Sequence, residues 1–249
     1  MRRATRLFEP STACMNIKEK LMRKKTALIV TALLWLLVIL GIMFCTLRVF
    51  VNRPDYFRRC YESFDMQSRI GISPEDCTRA VYKLVDYMEG REESIQLRVT
   101  EDGREVDMYN EQEILHMIDV RELYQAWRTV SYCALAALGC LLLMCLFIKE
   151  TRRLVWRSYK LAWIFFGALL AVMLVWVLID FNSFWTQFHY LFFDNDLWLM
   201  DSRVCRMIRI CPLELFYGIV LGTVLSFAAF SALCSLILRR LYKKTEEKG

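Results

Sequence analysis

Only two histidines occur in this chain of 249 residues, His116 and His189. Imidazole is the side chain best suited to moving protons near neutral pH. Asp119 follows His116 by three residues. On a helix that spacing puts the carboxylate on the same face, where it can hold one ring nitrogen and orient the other. His189 stands in a different setting. Phe181, Phe184, Trp185, Phe188, Tyr190, Phe192, Phe193 and Trp198 fall within 18 residues around it, interleaved with or followed by Asp194, Asn195, Asp196 and Asp201. A helix over 183–193 places Trp185, His189, Phe192 and Phe193 on one face. The pattern predicts an imidazole walled by aromatic rings.

The elements that must position these residues are set by composition. The chain is 56% hydrophobic yet carries an ordinary 24% charged residues. Both together require segregation, and they exclude a disordered, collagen-like or nucleic-acid-coating chain. Four charge-free runs carry the surplus, 27–47, 129–148, 161–179 and 216–238. About 20 apolar residues as a helix cross a hydrocarbon core of roughly 30 Å, and only a helix satisfies its own backbone there. The first run is too long for a signal peptide and lacks a small-residue cleavage site, so it reads as a retained anchor.

Charge orients the spans. Segments 1–26, 149–160 and 239–249 hold 18 Lys and Arg in 49 residues, whereas 51–128 and 182–215 hold 14 in 112. The basic set belongs inside. The sequence therefore predicts an all-α integral membrane protein of four transmembrane helices, both termini cytoplasmic. Its outer pieces are a small extracellular α+β cap, 48–128, and an aromatic loop, 180–215. The net charge of +6 is an inside property that faces anionic lipid headgroups, and no nucleic-acid partner is expected. Met15 opens a basic run suited to an inside N-terminus and is a second candidate start.

Within the cap, Ser73-Pro74-Glu75-Asp76 starts a helix that Gly90 ends. The alternating run 95–99, a turn at 101–103 and a return over 105–109 predict a hairpin. Asn110 with Glu113 forms a capping-box pattern for the helix carrying Ile114, Leu115, His116, Ile118 and Asp119. Run straight to Thr129, that helix lifts His116 roughly 20 Å above the apolar core, at 1.5 Å per residue. For His116 to meet His189 near lipid, 116–128 is expected to lie along the interface or bend, with Leu123, Tyr124, Ala126 and Trp127 toward lipid.

These residues resemble a known family. Glu113 to Val120 is similar to one block of a bacterial four-span family, the lipoprotein intramolecular transacylases. Phe188 to Asp201 resembles its second block, which ends at a Pro followed by aromatics, here Pro212 to Phe216. The chain departs from the family pattern at Ser202-Arg203-Val204-Cys205. The resemblance implies transfer of the sn-2 acyl chain of a lipoprotein's S-diacylglyceryl cysteine to that cysteine's own α-amino group. It implies diacylated lipoprotein substrates, a bacterial plasma membrane with its phospholipid as surroundings, and His116 and His189 as the catalytic pair; no cofactor and no metal are expected. Asp119, Trp185, Phe192, Phe193, Asn195, Trp198 and Asp201 are the expected orienting and substrate-binding residues. His189, among rings that favour neutral imidazole, is the expected base, and His116, held by Asp119, the expected donor.

Other readings remain open on the residues alone. Cys205 or Cys211 could serve as a thiol nucleophile, or the two could form a disulfide. The two His with carboxylates could bind a metal, although no Cys/His ligand spacing occurs. The chain could also be a non-catalytic membrane scaffold or accessory subunit. Against transport, no span contains an ionisable residue. Nothing in the sequence sets an oligomeric state.

Overall fold

The computed structural model describes residues 12–246. The expectations for residues 1–11, and with them the choice of start, and for 247–249 lie outside the described residues. Four long helices hold the four charge-free runs: α1 (Thr12–Val51), α5 (Glu111–Phe147), α6 (Lys149–Ile179) and α9 (Leu213–Glu246). Each is long and apolar enough to cross a membrane.

Helix α1 packs against the other three. Its Trp35, Val38 and Ile39 are buried with Ala134 and Leu138 of α5 and Val155 and Tyr159 of α6. A Cβ on Gly41 would stand 3.3 Å from Ser131, so the small residue sets the close approach of α1 to α5. The outward faces stay apolar. Val172, Val175 and Leu178 of α6 and Val220 and Val224 of α9 are all exposed, as expected of surfaces made for lipid rather than water.

The polar unit between α1 and α5 contains α2 (Pro54–Ser63), α3 (Met66–Ile70), α4 (Pro74–Glu89), β1 (Arg98–Glu101) and β2 (Arg104–Asp107). Helix α4 forms as its sequence predicts. Ser73 Oγ accepts from Asp76 N, Pro74 opens the helix, and Gly90 closes it at φ +82°. The hairpin is shorter than the alternation suggested. Strand β1 begins at Arg98 rather than 95 and extends to Glu101, because the turn is the two-residue Asp102-Gly103, both at positive φ. Helices α2 and α3 have no counterpart among the predicted elements. Tyr61 of α2 and Tyr109, both fully buried, donate to the carbonyls of Ile210 and Ala80 and close this unit's core.

An ion-pair cluster fastens the unit to the long helices. The Arg48 guanidinium grips the Glu89 carboxylate with Nε at 2.8 Å and Nη2 at 2.6 Å. Tyr124 OH donates to the same carboxylate, and Arg128 Nη1 donates to the Glu89 carbonyl. Burial pushes the Glu89 carboxyl up, but hydrogen bonds from Arg48, Tyr124 and Asn52 more than reverse this and hold it at about 2. Tyr124 thus faces this polar unit. Nor does the helix break to bring His116 down: α5 is continuous from Glu111 through Thr129 to Phe147.

Candidate active site

The site forms where the start of α5 meets α7 (Phe181–Phe192), a helix that follows α6 after a break at Asp180. Asp180 caps α7 by accepting from Ser183 N. At the head of α5 the predicted capping box is present in full: Asn110 Oδ1 accepts from Glu113 N, and Glu113 Oε2 accepts from Asn110 N. These caps fix the first turns of both helices, and His116 and His189 ride on them.

The two imidazoles are neighbours, ring centroids 6.4 Å apart. Both are buried, at 8% and 6% exposure. Trp198 stacks on His189 at 4.7 Å, and Trp185 lies 4.5 Å from it on the same helix. Phe193 stands by both histidines, 5.2 Å from His116 and 5.7 Å from His189. It reaches them from extended backbone after α7 has ended, not from the helical face that the spacing predicted. Phe192, expected on that face, packs on Phe188 and is exposed. Phe188 takes its place against His189, edge-on at 5.5 Å. The i, i+3, i+4 rule passes over an adjacent residue, yet a broad ring can reach sideways around the helix.

Hydrogen bonding distinguishes the histidines. His189 Nδ1 is 2.8 Å from the Trp185 carbonyl. A carbonyl only accepts, so Nδ1 carries a proton, and in the neutral ring the lone pair is on Nε2. His116 Nδ1 is buried without a partner, as is the indole Nε1 of Trp198. A buried unpaired nitrogen costs about 1–3 kcal/mol, and these two belong to the imidazole pair and to the ring stacked on it. The stretch of α5 bearing His116 precedes the charge-free run 129–148. Burial and the neighbouring His189 lower the His116 pKa below its ordinary value, and Asp119 opposes them.

The expected His116–Asp119 bond is absent. Asp119 Oδ2 instead accepts from Asn195 Nδ2 at 2.8 Å, because the loop after α7 returns over this face of α5. Asn195 Oδ1 also accepts from Leu197 N, closing a tight local turn. Two further latches escaped the sequence reading. Gln112 Nε2 donates to the carbonyls of Leu197 and Leu199, each at 3.0 Å. Glu113 Oε1 accepts from Met207 N, at the start of α8 (Arg206–Ile210). The capping box pointed to Glu113, but one oxygen suffices for the cap and nothing local assigned the other.

Asp201 is not part of the cage. It is exposed and bonds Arg203 Nη2 at 2.5 Å, so the segment that departs from the family pattern shapes its own turn. Cys205 and Cys211 are free thiols. The Cys205 sulfur accepts from Asn110 Nδ2, and burial pushes the Cys211 thiol up to about 12, which leaves it protonated and a poor nucleophile. Among the described residues, no group of three His, Cys, Asp or Glu side chains could hold a metal ion.

A family model described as lipoprotein intramolecular transacylase Lit matches residues 31–216, which include both histidines. Among solved structures, the membrane integral lipoprotein intramolecular transacylase Lit from Bacillus cereus superposes with a TM-score of 0.66 at 17% identity, covering 91% of this chain and 99% of that one. A histidine-to-alanine variant of it superposes at 0.69 and 18% identity, covering 93% and 99%. A histidine-to-arginine variant gives 0.69 and 17%, covering 96% and 100%. At such identity these structures speak for the fold. No curated protein matches the sequence.

Proposed function

The chain belongs to the lipoprotein intramolecular transacylase family, and from that premise we propose how its two imidazoles perform the transfer. It is a membrane-integral enzyme of lipoprotein modification. The substrate in our reading is a diacylated lipoprotein, whose N-terminal cysteine carries a diacylglyceryl thioether and a free α-amine.

Ester and amine are on one molecule, so no protein nucleophile is needed. The site has to bend the substrate until amine nitrogen and sn-2 carbonyl carbon meet. The Nε2 lone pair of His189 takes a proton from the amine as the C–N bond forms. The carbonyl oxygen, now an oxyanion, accepts from Trp198 Nε1–H and from the His116 ring, both of which hold an unpartnered buried nitrogen beside His189. The C–O bond to glycerol then breaks, and a proton returns to the departing oxygen. Net, one amide forms, one ester is lost, and the amine proton ends on the glycerol hydroxyl. The product is a lyso-form lipoprotein.

The observation that carries this reading is the buried imidazole pair, 6.4 Å apart in an aromatic cage with two unmet nitrogens. Burial and the neighbouring His189 both disfavour charge on His116. That suits a base next to a neutral hydrogen-bond donor. We keep His116 as the donor, in neutral rather than charged form, because burial and His189 lower its pKa against the pull of Asp119.

Expression in a host that makes only diacyl lipoproteins tests the function. Mass spectra of lipoprotein N-terminal peptides should show the lyso form with the intact chain and not with His116→Ala or His189→Ala. Unchanged diacylglyceryl termini, with the protein present in the membrane, would sink the proposal.

Charge asymmetry further supports cytoplasmic termini, with cap and site on the outer face of a bacterial plasma membrane. A Ser94→Cys variant should react with a membrane-impermeant maleimide in intact cells. Protection until lysis would reverse the orientation.

A further inference from the structure

A second cleft, of about 680 Å³, opens where α1 ends, between α2 and α9. None of these helices contributes to the imidazole cage. Phe50 lies three residues past the first charge-free run and Gly218 two residues inside the last, so the cleft lies at the height where hydrocarbon gives way to polar headgroups.

Its floor is apolar and fitted. The Phe50 ring lies on Gly222 and the Tyr56 ring on Gly218; at either glycine a Cβ would come to 2.5 Å from the ring or its hydroxyl. Tyr56 OH donates to the Leu215 carbonyl and fixes the wall. Above this floor stand two oriented guanidinium groups. Arg53 lies over the Phe50 ring at 5.6 Å. Arg59 donates Nε to the Asp55 carbonyl, which leaves its terminal nitrogens for a ligand. The one carboxylate in the lining, Asp55, faces Arg58 at 3.8 Å. Segment 51–128 is net −6, so two presented arginines run against their surroundings.

We propose that this cleft binds the phosphate of an anionic phospholipid, with Arg53 and Arg59 on the phosphate and Phe50 and Tyr56 against the lipid's glycerol and first methylenes. Guanidinium forks match phosphate oxygens, and the apolar floor at headgroup height selects a lipid over a soluble phosphate. Neither substrate nor product of the acyl transfer carries a phosphate. The lipid is therefore no reactant; it seats the cap on the bilayer.

Native mass spectrometry of the detergent-purified full chain, titrated with phosphatidylglycerol, tests this without reference to activity. Arg53→Ala/Arg59→Ala should weaken lipid binding roughly tenfold or more. Arg53→Lys/Arg59→Lys, which keeps charge and loses the fork, should fall between. Arg58→Ala, outside the cleft, should bind as the intact chain does. Equal binding by the double alanine variant overturns the proposal, as does an equal loss in Arg58→Ala, which would mean bulk charge. Displacement of the lipid by millimolar inorganic phosphate would make free phosphate the ligand and overturn the lipid assignment.

Discussion

The indole of Trp198 lies flat against the imidazole of His189, centroids 4.7 Å apart and planes 25° from parallel, while its own Nε1–H is buried and unpaired. The residue both walls His189 and offers a donor beside it. The free N–H suits a developing oxyanion.

Trp198→Phe separates these roles, since it keeps a ring and removes the donor. Loss of one oxyanion donor costs about 10²–10³ in kcat, with little change in KM. Single-turnover measurement of lyso-form product checks this. A raised KM with unchanged kcat would assign Trp198 to packing alone.

Asn195 and Asp119 are coupled across the loop by a 2.8 Å hydrogen bond. Asn195→Ala and Asp119→Ala should each lower transacylation, and the double variant should lose less than the product of the two. The interaction energy expected of contacting residues is about 0.5–3 kcal/mol. Strict additivity in the double-mutant cycle would mean the bond does not serve the site.

The pH profile reports the imidazoles. A base must be neutral, so the rate rises with pH and levels off. Burial and His189 place the His116 transition below its ordinary 6.5, and Asp119 works the other way. Asp119→Asn should therefore shift any His116-dependent acidic limb to still lower pH. A limb that stays put belongs to His189; one that moves up contradicts the electrostatics described above.

Glu89 makes docking of the polar unit onto the long helices pH-dependent. Its folded pKa is depressed from 4.5 to about 2. A depressed carboxylate contributes stability above its unfolded value and loses it as pH falls toward the folded one. The melting temperature should drop between about pH 4.5 and 2 in the intact chain, and less steeply in Glu89→Gln. Glu89→Ala should be destabilising by about 3–5 kcal/mol, because Arg48 would lose the carboxylate that compensates its largely buried charge. Thermal scans in detergent at stepped pH measure both effects.

The sequence by itself determined what short-range rules govern. Four charge-free runs became the four long helices, Ser73 and Gly90 bounded α4, and Asn110 with Glu113 capped α5. It also named both histidines and most of the aromatic cage, because an uncommon residue amid concentrated rings is visible in composition alone. Helices α2, α3 and α8 were not visible: short segments are held by tertiary contacts such as Tyr61 to Ile210, 149 residues away in sequence.

Only the tertiary structure decided which groups meet. Spacing offered Asp119 to His116, one helical turn away; folding gave it to Asn195, 76 residues on, because the loop after α7 lies across α5. Phe193 enters the cage on extended backbone after the helix ends, while Phe192 turns outward. Helical periodicity fixes neighbours within one element. Where the chain leaves a helix, the path is set by burial and hydrogen bonding against other elements, and there the site's partners were chosen.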